Sequence, residues 1–235
     1  MDKDAVKTIK KILSGYKRKV ARLKQQGVMK VTEGKAQITF AGYKTIAQKA
    51  VSAAYDFALN TFAWVFLLIS WNIMARCSTS SAIMIDHLEW ENDSLLLPVP
   101  SHKGDQDGET SKLQPRHVYA NPLRPLTCPI LALAVYIFTM APRGQNADRS
   151  LFGEEEAINN RFGGWLKKTL VGLTEALLEM GMLNVDLGTH SIRKGVSTFL
   201  SGIPGGPTAI SIYLRAGWSW GNVQNRYILD GGGGD

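Results

Sequence analysis

The sequence predicts an α+β fold, mainly helical, with a small three-stranded antiparallel sheet. Two observations carry this prediction. On either side of residues 82–120 the chain places apolar residues at helical spacing over long stretches. Between those stretches lie short strand-like runs, separated by the turn-like Glu91-Asn92-Asp93. A length of 235 residues, with 45% hydrophobic and 20% charged composition, suits one sizeable globular domain or one domain plus an accessory segment.

The elements follow in order. Residues 3–26 read as a basic helix with Val6, Ile9, Ile12, Leu13, Val20 and Leu23 spaced for one face. Gly27 and Gly34 punctuate its end. A second helix is predicted over residues 41–54, and a very apolar one from Phe57 to Arg76. Residues 82–90 and 94–99 read as strands. The polar segment 101–115 is a loop, and residues 116–120 read as the third strand. Helices return over 130–140 and 161–180, the latter with Trp165, Leu166, Leu170, Leu173, Leu177 and Leu178 as expected core. Thr189 is expected to cap a helix over 191–201, which Pro204-Gly205-Gly206-Pro207 ends. Short helices over 208–216 and 222–229 complete the pattern.

Charge is unevenly placed. Residues 1–50 hold 13 Lys/Arg against Asp2, Asp4 and Glu33, whereas the remainder carries 14 basic and 17 acidic residues. A basic segment on a near-neutral body suggests a polyanion partner. Cys77 and Cys128 show neither metal-ligand nor disulfide spacing, which fits a reducing compartment. The lysine-rich N-terminus lacks the apolar core of a secretion signal, so secretion is not expected. In the apolar stretch 57–75, Asn60, Thr61, Ser70 and Asn72 leave only Phe62–Ile69 uninterrupted. That is too short to cross a bilayer and reads as a central buried helix, with no membrane partner expected.

Six residues then form an ordered set: Arg76, Lys103, His190, Arg193, Trp218 and Tyr227. Guanidinium groups donate paired hydrogen bonds to phosphate oxygens and stay charged. At a helix C-terminus, Arg76 could equally be a charge set against the dipole. His190 and Arg193 share a face if both lie in the first turn of a helix, where N–H groups point toward an anion. Lys103, beside Gly104 in the polar loop, could deliver a proton to a leaving oxygen, or simply be solvated. Trp218 could donate its indole N–H to phosphate, or pack in a core. The phenol of Tyr227, with an ordinary pKa near ~10, needs cationic surroundings to act as a nucleophile. Among the other histidines, His102 could contact DNA, and His87 and His117 lie in or beside predicted strands. No metal site and no cofactor are expected.

This order resembles the tyrosine recombinase (phage integrase-like) family. Thr189-His190-Ser191-Ile192-Arg193-Lys194-Gly195 and Ala216-Gly217-Trp218, with Tyr227 following, are its most specific parts, and the match spans most of residues 36–235. The wording around them is similar to recombinase-like proteins of Crypton-type eukaryotic mobile elements. The resemblance implies a catalytic domain in which Arg76 and Arg193 clamp the scissile phosphate, with His190 and Trp218 assisting. It further implies Lys103 as general acid and Tyr227 as the nucleophile forming a 3′-phosphotyrosyl bond. It implies double-stranded DNA as partner and a homotetramer on DNA. The location would be nuclear for a eukaryotic chain and cytoplasmic otherwise.

Residues 1–35 are then expected to be a basic arm or the remnant of a DNA-clamping domain. Its Lys10, Lys11, Lys17, Arg18, Lys19, Arg22 and Lys24 would contact phosphates. Residues 36–235 are expected to be the catalytic domain, shortened at the C-terminus. Thr79 stands where many relatives carry an acidic residue. Two other outcomes share the same residues: a DNA-binding derivative without catalysis, and a topoisomerase-like nick-and-reseal enzyme.

Overall fold

The computed structural model describes residues 2–29, 35–97, 115–140, 150–153, 155–182 and 187–218. The chain divides into two units, residues 1–34 and 35–235. The first unit is helix α1 (Lys3–Gln25), in which no residue is buried. Asp2 caps its start by accepting from the Asp4 N–H, while Arg22 and Lys24 lie in its last turn, against the negative end of the dipole.

The second unit is built around α3 (Phe57–Asn72), whose residues from Asn60 to Trp71 are all buried. A helix apolar on every side belongs in a core, and α2 (Phe40–Ser52), α5 (Pro129–Met140), α6 (Glu155–Gly172) and α8 (Thr189–Ser201) pack around it. Its polar interruptions are satisfied internally. Asn60 accepts from the Trp165 indole at 2.9 Å, and Ser70 shares a 2.8 Å hydrogen bond with Ser80. Aromatic stacking joins α2, α3 and α8: Tyr43 lies 4.1 Å from Trp71 and Phe40 lies 4.2 Å from Phe199, ring centre to ring centre. Among the described residues, no helix is long and apolar enough to cross a membrane.

The sheet is antiparallel, in the order β1 (Glu89–Glu91), β2 (Ser94–Leu97), β3 (Arg116–Tyr119). Asn92 turns the first hairpin in the left-handed region, at φ 52°, which asparagine tolerates. The predicted first strand is mostly not a strand. Residues 85–87, including His87, form a 3-10 turn, and Met84 makes only an isolated bridge to Ser150.

Three further expectations are corrected. The apolar helix stops at Asn72, well before Arg76, and a short α4 (Cys77–Ser81) follows. The helix predicted over 161–180 is two: α6, and α7 (Thr174–Glu179) after a break at Leu173. Of its expected core, Leu173 is only half-buried, and Leu178 is 51% exposed because the break turns it outward. Finally, α8 starts at Thr189 with Gly188 as N-cap, so Thr189 lies inside the helix rather than capping it. The reach of the Ser191 hydroxyl back to the Gly188 N–H, at 3.0 Å, replaces the predicted cap. The last described helix is α9 (Ala209–Ala216), capped by Thr208, whose hydroxyl accepts from the Ser211 N–H.

Candidate phosphate-binding site

Arg76 follows the end of α3 by a sharp reversal in which Met74 adopts φ 52°. It is the N-cap residue of α4 and is half-buried. Its place was expected to be the C-terminal end of the apolar helix, where a cation would relieve the dipole. That explanation no longer holds, because an N-cap faces the positive end of a helix. The role at the α3 terminus belongs instead to Arg215, whose Nε and Nη2 donate to the Asn72 carbonyl at 3.2 and 3.1 Å. The Ser70–Ser80 hydrogen bond pins α4 to α3, and the Ser80 N–H donates to the Arg76 carbonyl at 2.9 Å. The backbone that carries Arg76 is therefore held from both sides.

Arg193 sits on the second turn of α8, with 9% of its surface exposed. Its Nη2 donates to the Ala216 carbonyl at the end of α9. Burial, and after it the nearby Arg76 charge, together lower its pKa to about 10. The two guanidinium groups thus lie within electrostatic reach of each other. Two cations held this way repel in the free protein, a cost that a bound anion would relieve. Burial pushes the Cys77 thiol, next to Arg76, up to about 11, with a smaller lowering from the nearby Thr189 side chain. The start of α4 therefore lies beside the start of α8, the helix that carries His190 and Arg193.

The position of Trp218 follows from local backbone chemistry. Gly217 adopts φ 61° and donates its N–H to the Leu214 carbonyl at 2.9 Å, while the Trp218 N–H donates to the Tyr213 carbonyl at 3.0 Å. This pair of bonds is a Schellman motif, with Gly217 at the left-handed position. The ring of Trp218 packs edge-on against Tyr213 at 5.1 Å, the apolar contact that accompanies such a motif. In that place the indole lies 5.3 Å from the Arg193 guanidinium carbon. The glycine of Ala216-Gly217-Trp218 therefore sets where the tryptophan goes.

His190 lies in the first turn of α8 and is exposed, whereas Arg193 is buried. Lys103, His102 and Tyr227 lie outside the described residues, and so does the helix expected over 222–229. The basic residues Lys10, Lys11, Lys17, Arg18, Lys19, Arg22 and Lys24 all lie on α1. Among the described residues, no cluster of His, Cys, Asp or Glu could hold a metal ion.

Three residues missed from the sequence complete the arrangement. Arg215 also donates to the His117 carbonyl at 2.6 Å, and Arg116 donates to the Leu214 carbonyl at 3.1 Å. Together they fasten α9 to β3 and to the end of α3. Gly195 lets α8 run against the chain at Ile38, where the Ile38 N–H donates to the Ser191 carbonyl at 3.1 Å. A Cβ at Gly195 would meet the Ile38 oxygen at 2.0 Å. The only sequence signals were the arginine beside Ala216-Gly217-Trp218 and a glycine inside a helical pattern.

No protein-family model matches the chain, and no curated protein does. Among solved structures it is similar to the XerH site-specific recombinase bound to difH substrate in a pre-cleavage complex, with a TM-score of 0.53 and 12% identity over 80% of this chain and 48% of that one. It is likewise similar to XerH bound to palindromic difH substrate in a post-cleavage complex, with a TM-score of 0.53 and 13% identity over 81% and 49%. The chain spans about half the length of those recombinase chains, at 48% and 49%. At this identity the likeness is one of fold, and the fold is of the tyrosine recombinase type expected from the sequence.

Proposed function

We propose that this chain breaks and rejoins DNA strands as a site-specific recombinase of the tyrosine type, without metal or cofactor. The observation that carries the proposal is the approach of Arg193 to Arg76, with Trp218 set over Arg193 by the Schellman turn. Two guanidiniums and an indole N–H supply donors for the phosphate oxygens as negative charge grows in the transition state.

In the proposed step, the Tyr227 oxygen attacks phosphorus and the bond to the 5′ oxygen breaks. Lys103 protonates that leaving oxygen, and His190 is assigned to take the phenol proton. The 3′-phosphotyrosyl link retains the bond energy, so a 5′-hydroxyl can reverse the step without ATP. Double-stranded DNA is the proposed partner, bound by a homotetramer, with the α1 basic residues contacting phosphates. A Crypton-type mobile-element origin is supported only by the wording around the site residues.

The test is trapping on a pool of duplexes carrying 5′-bridging phosphorothiolates, followed by peptide mapping. A covalent adduct on Tyr227 that disappears in Tyr227→Phe is expected. An adduct that persists in Tyr227→Phe refutes the nucleophile. DNA binding with no adduct in the parent leaves a non-enzymatic DNA-binding protein.

A further inference from the structure

The apolar stripe of α1 has a stricter period than a solvated helix needs. Val6, Ile9, Leu13, Tyr16, Val20 and Leu23 recur at alternating spacings of three and four, the a and d positions of successive heptads. None of the six is buried, and Leu13 and Tyr16 are 52% and 65% exposed. Ile12, at a g position beside the seam and 65% exposed, widens the stripe at one place only, and the stripe stays closer to the seam of a helix pair than to the broad apolar face of a helix lying on a membrane. The flank is equally regular. Lys3, Lys10, Lys17 and Lys24 occupy every e position in the helix.

In helix pairs, e residues sit beside the seam and choose the partner by charge. Residues 3–25 carry nine Lys/Arg against Asp4 alone, so two copies of α1 side by side would repel.

We propose that α1 docks an acidic amphipathic helix of a partner protein on this seam, with the partner's carboxylates facing the e-position lysines. Lys7, Lys11, Arg18 and Arg22 lie at b, c and f positions, away from the seam, so a docked partner competes with phosphate for Lys10, Lys17 and Lys24 among the residues assigned to DNA. The surface is independent of whether the rest of the chain breaks DNA.

The experiment uses the full chain and labelled synthetic peptides of about four heptads. One has Val and Leu at a and d with Glu at e and g; the other has Lys at e and g. An anionic phosphatidylserine vesicle and a DNA duplex serve as competing probes. The Glu peptide is expected to bind and the Lys peptide not. Ile9→Asn with Leu13→Asn is expected to weaken the Glu peptide by ~30-fold or more, because polar groups enter the desolvated seam without any change of charge, and to leave duplex binding unchanged. Lys10→Glu with Lys17→Glu and Lys24→Glu is expected to reverse the peptide preference. Circular dichroism checks that α1 stays helical in each variant. Glu-peptide binding that ignores the seam substitutions would reduce the effect to bare charge attraction and overturn the proposal. So would seam-dependent binding to vesicles without peptide binding, or self-association of the chain through the seam.

Discussion

Replacing Gly195 with alanine tests whether the α8 helix is held where the site needs it. The added Cβ would lie 2.0 Å from the Ile38 carbonyl oxygen, 3.0 Å from its carbon and 3.1 Å from Trp71 Cζ3. Ordinary carbon–oxygen contacts begin at ~3.3 Å, so α8 and the chain at Ile38 must separate by roughly 1 Å. Overpacking of this kind costs about 1–3 kcal/mol. Stretching the Ile38–Ser191 hydrogen bond adds about 1 kcal/mol. Better helix propensity returns about 1 kcal/mol, leaving a net loss of about 2 kcal/mol. For a domain of this size that is a fall of ~4–8 °C in Tm, read by circular dichroism. Gly164→Ala on α6 is the control. Gly164 is exposed with nothing within 4 Å of its Cβ position, so the same substitution should raise Tm by ~2–4 °C. If Gly195→Ala were as stable as the parent, the close approach of α8 to Ile38 would be wrong.

Two other predictions follow from the same site. Arg193 has a folded pKa lowered to about 10, so between that value and its higher unfolded one the unfolded chain binds the extra proton and stability rises with pH. At neutral pH both states are protonated and the full cost of burying the charge is present. Arg76→Gln should therefore raise the pKa of Arg193 and stabilise the free protein by about 1 kcal/mol or less, while lowering the stabilisation gained from added inorganic phosphate. A lower Tm in this variant would show that the two charges do not repel. Gly217→Ala should place alanine in the left-handed region at a cost of about 1 kcal/mol, opening the Schellman turn. Amide exchange at residue 217 and at Trp218 should quicken ~5-fold, and unchanged exchange would contradict the assignment.

How far the sequence revealed these features depended on how local their causes are. The placement of Trp218 is set by bonds within six residues, and Ala216-Gly217-Trp218 could be read directly as a helix end followed by the tryptophan. Likewise α3 announced itself, since residues 62–69 are apolar without interruption. Arg76 was legible as a member of the set but not as an N-cap, because the helix before it ends early through Met74 and through Arg215, which is 143 residues away from Asn72 in sequence. Arg215 and Arg116 could not be assigned at all, since the hydrogen bonds described above go to main-chain carbonyls, which leave no mark on composition. The first strand failed for a different reason. Ile85-Asp86-His87 interrupts the apolar alternation, and a 3-10 turn there satisfies the backbone without a neighbouring strand.

The claim beneath all of this is that Arg76 and Arg193 grip one phosphate. A double-mutant cycle of Arg76→Gln and Arg193→Gln on the affinity for duplex DNA measures it most directly. Shared grip of a single phosphate predicts a coupling energy of about 1 kcal/mol or more, with the double variant little worse than either single one. Additivity within about 0.5 kcal/mol would mean that the two side chains act on separate groups, and would contradict the site.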